Sequence, residues 1–128
     1  MATNKLLVKV TAVKSSGDLN ILELYTKSGL NLALVCLDSN IKVGDDIEVG
    51  VNPTNVFVGL SGDNLSVSNK ILVEIKSIEK GEILTKILGE FEGITLSSII
   101  TTNSANRLKL EIGENVYFLV KSTDMFVV

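Results

Sequence analysis

The sequence predicts an all-β chain built as two tandem five-stranded β-barrel modules, with a short helical turn in the second. Three observations carry that expectation. The chain resembles itself at about half its length of 128 residues, its apolar residues alternate with polar ones over short runs, and turn-forming residues punctuate those runs at regular intervals.

The repeat sets the organisation. Asn4-Lys5-Leu6-Leu7-Val8-Lys9-Val10 aligns with Asn69-Lys70-Ile71-Leu72-Val73-Glu74-Ile75, and Val43-Gly44-Asp45-Asp46-Ile47 aligns with Ile112-Gly113-Glu114-Asn115-Val116. The separation grows from 65 (4 to 69) to 69 (43 to 112), so the second copy carries extra residues, expected within Thr101–Glu111. There Ser104-Ala105-Asn106-Arg107-Leu108 reads as one helical turn. The expected modules are residues 1–61 and 65–128, joined through Ser61-Gly62-Asp63-Asn64.

Each element has its own signal. In the first copy Leu7, Val8, Val10 and Val13 mark one strand, and Ile21, Leu22, Leu24 and Tyr25 a second. Leu30, Leu32, Leu34 and Val35 mark a third, Ile47, Val49 and Val51 a fourth, and Val56, Phe57 and Val58 the last. Ser15-Ser16-Gly17-Asp18, Lys27-Ser28-Gly29 and Gly44-Asp45-Asp46 supply the turns between them. The second copy repeats this order from Ile71–Ile78 to Met125–Val128. Five short strands in about 64 residues suit a small barrel of the oligonucleotide/oligosaccharide-binding type. A core of that size is marginal alone, and 45% hydrophobic residues with a mean hydropathy of +0.37 exceed what two such cores need, so a homo-oligomer is expected.

Composition removes several function classes. With no histidine and a single cysteine, the chain can build neither a His/Cys zinc site nor a histidine-based catalytic triad, and no intramolecular disulfide. Its acidic residues fall mostly at turns, so the expectation is a protein that is not an enzyme. A net charge of −3 and six aromatic residues argue against a nucleic-acid partner. No apolar run reaches membrane-spanning length and the start lacks a leader pattern, so no membrane is expected and a cytoplasmic location follows.

Three stretches of the second copy resemble the Mop/TOBE family. They are Ser66-Val67-Ser68-Asn69-Lys70, then Ile99-Ile100-Thr101-Thr102-Asn103-Ser104-Ala105 with Leu108 and Leu110-Glu111-Ile112-Gly113, and finally Val116 through Asp124. The whole chain is similar to a tandem pair of such modules, the first copy more loosely over residues 2–60. The resemblance implies binding of molybdate or tungstate, with no organic cofactor, in pockets between modules or subunits, for storage, transfer or homeostasis. Carried onto this chain, it implicates Ser66, Ser68, Thr101, Ser104, Lys121 and Ser122, with Thr3, Ser39, Asn52 and Thr54 as the weaker set of the first copy.

The chemistry of those positions suits a tetrahedral dianion, which needs several donors converging on four acceptor oxygens. Lys121 supplies charge, Ser122 a hydroxyl and a backbone N–H, and Thr101 and Ser104 bracket the first turn of the helix, where free N–H groups are expected. Plainer readings stand beside these. Ser104 or Asn103 would serve as the helix N-cap, Lys121 as a solvated strand-end lysine, and Ser66 and Ser68 as linker polars. Cys36, aligned with Thr101, reads as a small apolar residue, and Pro53 as a strand-entry residue. The family's arginine is replaced by Ser68 and Thr3. The alternative function is therefore a degenerate assembly module without oxyanion binding.

Overall fold

The computed structural model describes residues 3–37 and 40–128. Its strands are β1 (Asn4–Ser16), β2 (Leu19–Tyr25), β3 (Asn31–Leu37), β4 (Asp46–Val51), β5 (Phe57–Gly59), β6 (Asn69–Lys80), β7 (Leu84–Phe91), β8 (Ile94–Thr101), β9 (Asn115–Val120) and β10 (Phe126–Val127). A 3₁₀ turn (Pro53–Asn55) joins β4 to β5, and helix α1 (Thr102–Leu108) joins β8 to β9. The all-β, barrel-like fold with a short helix in the second copy is thus borne out. No helix among the described residues is long and apolar enough to cross a membrane.

Alternation is what makes the long strands. Asn4, Leu6, Val8 and Val10 of β1 point inward while Lys5, Leu7 and Lys9 point out, and Asn69, Ile71, Val73 and Ile75 of β6 do the same. Both strands carry an irregularity at the same place, between Val10 and Ala12 and between Ile75 and Ser77, which bends each strand so that one face stays on the core. A repeated bulge is independent structural support for the duplication, since alternation alone does not require it.

The sheets do not follow the repeat. One has the order β10-β4-β1-β2-β3 and the other β5-β9-β6-β7-β8, so each copy sends its last strand into the other's sheet. Phe57, Val58 and Gly59, which close the first copy in sequence, pair with Leu119, Phe118 and Tyr117, whereas Phe126 and Val127 pair with Gly50 and Val49. Pro53 ends the β4 ladder because it has no N–H to donate, and the 3₁₀ turn then carries the chain across to β8. Residues from both copies consequently share one apolar core, from Leu6 and Val49 to Ile71 and Phe118.

Register refines the alignment of the copies. Leu22 faces Leu34 and Ile87 faces Ser98, while Leu19 faces Leu37 and Leu84 faces Thr101. The position equivalent to Thr101 is therefore Leu37, not Cys36. The shift arises because β7 and β8 are joined by a two-residue turn, Glu92-Gly93, with φ of 52° and 78°, whereas the β2–β3 turn is longer. The tips of these turns meet: the Glu92 carboxylate accepts from the Thr26 hydroxyl (3.0 Å), the Ser28 N–H (2.9 Å) and the Ser28 hydroxyl.

Candidate functional site

Strand exchange regroups the implicated residues. In sequence they form one set per copy; in the structure Thr3, Asn52 and Thr54 fall at one seam and Ser68, Lys121 and Ser122 at another, each walled by both copies. At the first seam, the carboxamide of Asn4 donates to the Ser97 carbonyl and accepts from the Ser97 N–H, both at 2.8 Å. Asn4 faces Val51, so Thr3 and Asn52 lie just outside that registered pair. The chain then passes through the 3₁₀ turn containing Thr54, which packs on β8, and the Ser98 hydroxyl donates to the Val56 carbonyl at 2.6 Å. Thr3, Asn52 and Thr54 thus belong to a wall shared with the second copy.

The other seam repeats this geometry with the copies reversed. The Asn69 carboxamide accepts from the Ala33 N–H at 2.7 Å and donates to the Ala33 carbonyl at 2.9 Å. Asn69 faces Val120, which places Ser68 and Lys121 beside that pair. Two residues further along β3, the Val35 N–H donates to the Ser122 carbonyl at 3.0 Å. Lys121 and Ser68 are exposed and Ser122 is half-buried, and none of their side chains hydrogen-bonds to another described residue. Their donors are free. Ser66 sits in the exposed linker before buried Val67, likewise without a hydrogen bond. Ser39 lies outside the described residues.

Thr101 and Ser104 stand apart from Lys121, which follows the partner of the first residue of β6, whereas Thr101 faces Leu84, beyond the last residue of β6. Thr101 ends β8 four residues beyond Ser97, roughly 13 Å along an extended strand. It is Thr101, not Ser104 or Asn103, that caps α1: its extended backbone (φ −67°, ψ 147°) lets its oxygen accept the Ser104 N–H at 3.2 Å. Free N–H groups at that helix start are fewer than expected, because the Thr102 N–H already donates to the Ile83 carbonyl at 2.8 Å. The β6–β7 connection folds against the helix start and satisfies it. The Ser104 hydroxyl accepts from Thr101 at 2.8 Å and from the Arg107 guanidinium at 3.1 Å. Sequence reasoning gave Arg107, the chain's single arginine, no part in the site; its i+3 spacing from Ser104 on a helix was the available signal.

The fold and these seams can now be set against known proteins. The TOBE-domain family profile matches residues 65–127, which contain β6 through β10 and α1. The second copy is a TOBE domain. None of the curated proteins matches the sequence. Among solved structures, the chain is similar to the cytoplasmic molybdate-binding protein ModG in a molybdate-bound crystal form. The TM-score is 0.90 at 20% identity, covering 97% of this chain and 94% of that one. Coverage of that extent includes both copies, so the first TOBE-like copy, which the family profile does not reach, has the fold as well.

Proposed function

We propose that the protein binds molybdate or tungstate at the inter-copy seam around Asn69, and that it stores, carries or buffers the anion as a cytoplasmic homo-oligomer. The observation that carries this reading is the free donor set at the Asn69 seam. Lys121 brings a cation without an ion-pair partner among the described residues, and Ser68 and Ser122 bring uncommitted hydroxyls beside it. A dianion needs several donors from neighbouring positions, each charge-assisted hydrogen bond contributing roughly 1.5–3 kcal/mol. The TOBE domain and the ModG-like fold support the same ligand class. Thr101, Ser104 and Arg107 form a separate hydroxyl–guanidinium group that could join a site completed by another subunit. Exposed Leu7 (72%), Leu37 (69%) and Ile83 (77%) support oligomerisation, since apolar side chains of this size gain by being covered.

Titration calorimetry with molybdate, tungstate and sulfate tests the proposal. The expected result is heat with the first two, weakened by about 1–3 kcal/mol in Lys121→Ala and less in Ser104→Ala, whose hydroxyl is already engaged. Absence of heat for all three anions would overturn it. The second reading, an assembly module without oxyanion binding, draws on Ser68 and Thr3 standing where the family has arginine; it predicts a stable oligomer in sedimentation together with that silence.

A further inference from the structure

We infer that Asn69 is a positioning residue for the oxyanion seam: its carboxamide splices the second copy onto the edge of β3 and so holds Lys121 and Ser122 in place. This rests on the function proposed above and assigns a role to a residue outside the implicated set. β3 and β8 are the outer strands of their sheets, and the outward N–H and C=O of Ala33 and Ser97 have no neighbouring strand to pair with. A side-chain carboxamide carries one acceptor and one donor group side by side, as a peptide unit does. Asn69 and Asn4 use it as a one-residue strand, with both bonds between 2.7 and 2.9 Å. Asn69 is fully buried and Asn4 is 7% exposed, so each amide is out of water and compensated by this pairing.

The two clasps have different consequences. Ala33 and Val35 are successive outward positions of β3, one gripped by Asn69 and the other by the Ser122 carbonyl, roughly 6.6 Å apart. Lys121 and Ser122 are pinned by these two rungs. At the Asn4 seam the corresponding residues are Asn52 and Pro53, which bring no cation and, at Pro53, no N–H. Asn4 is therefore an internal control: its carboxamide clasp matches that of Asn69, but among the described residues no second backbone rung and no charged donor accompany it. Aspartate cannot replace either residue, because it accepts but does not donate and would set a carboxylate against a carbonyl.

The test compares Asn69→Ser with Asn4→Ser in the full-length chain, using molybdate as the probe. Both variants are expected to lower the melting temperature, and Asn69→Ser alone to weaken molybdate binding, by about tenfold, as one or two misplaced hydrogen bonds would. Amide hydrogen exchange in the unmutated protein gives a second readout: saturating molybdate is expected to slow the Ala33 amide and leave Ser97 unchanged, because binding and clasp are linked reciprocally. Should either variant fail to fold, the exchange measurement decides alone. Equal loss of affinity in both variants, or equal slowing of both amides, overturns the positioning role while leaving oxyanion binding intact. An unmutated protein that takes up no molybdate overturns both readings, and that outcome is recognisable before any variant is made.

Discussion

The two copies share a backbone plan but solve the same packing problem with different side chains. Val10 faces Leu24 in the first copy, whereas Ile75 faces Gly89 in the second; Leu6 faces Val49, whereas Ile71 faces Phe118. A leucine–valine combination has become a glycine–phenylalanine combination. A Cβ at Gly89 would lie 2.6 Å from Val73 and 3.2 Å from the Phe118 ring, so the ring occupies the space that Leu24 fills in the first copy. The seven side-chain carbons of Leu24 and Val49 are answered by the seven of Phe118 alone, so the bulk of this layer has moved to one position. The difference teaches that the repeat is preserved at the level of strand register and a filled core, and is free to diverge in the residues that fill it.

The largest expected effect tests the exchange of terminal strands. Residues 1–61 alone would leave β5 without β9, and residues 62–128 alone would leave β10 without β4. Neither half is expected to show a cooperative thermal transition by circular dichroism, and mixing the halves should restore one. A cooperative transition in either isolated half would show that exchange is not required for folding. Next in size is the redistributed core volume. Phe118→Val is expected to cost roughly 2–4 kcal/mol and Gly89→Leu roughly 1–3 kcal/mol in denaturant unfolding. The double variant should recover roughly 1 kcal/mol or more of the summed loss; strict additivity would mean that the two positions do not share one space.

Smaller effects separate the ends of β3 and β8. Thr101→Ala removes the α1 cap and is expected to lower stability by about 1 kcal/mol, whereas Leu37→Ala, at the register-equivalent and 69% exposed position, should change monomer stability far less. Losses of equal size in urea titration would mean that Thr101 acts by packing, not capping. The smallest expected effect is that of pH. With no histidine in the chain, molybdate affinity should change by less than about threefold between pH 6.5 and 8. A steeper dependence in calorimetry would point to the ligand or a shifted group at the seam.

Much of the fold was legible because strands advertise themselves locally. Leu6, Val8 and Val10 alternate with lysine or leucine outside, and Gly17, Gly29 and Gly44 of the turns read from the sequence all take the positive φ that glycine adopts readily. The site was legible only as a parts inventory. Lys121 and Ser122 were recognisable as donors, but that they face β3 of the other copy was not, nor that Thr101 takes the cap and engages Ser104. Arg107 escaped notice because one exposed arginine in a seven-residue helix looks like any solvated charge.

By itself the sequence determined the strands, their inward and outward faces, the duplication and the chemistry available at each position, because all of these depend on side chains and on short-range periodicity. The tertiary structure alone decided which copy each edge would meet. The reason is physical: an open strand edge offers the same N–H and C=O whatever its residues, so it names no partner. Only closure of a shared core brings Asn69 to Ala33 and Asn4 to Ser97, and with them the two seams.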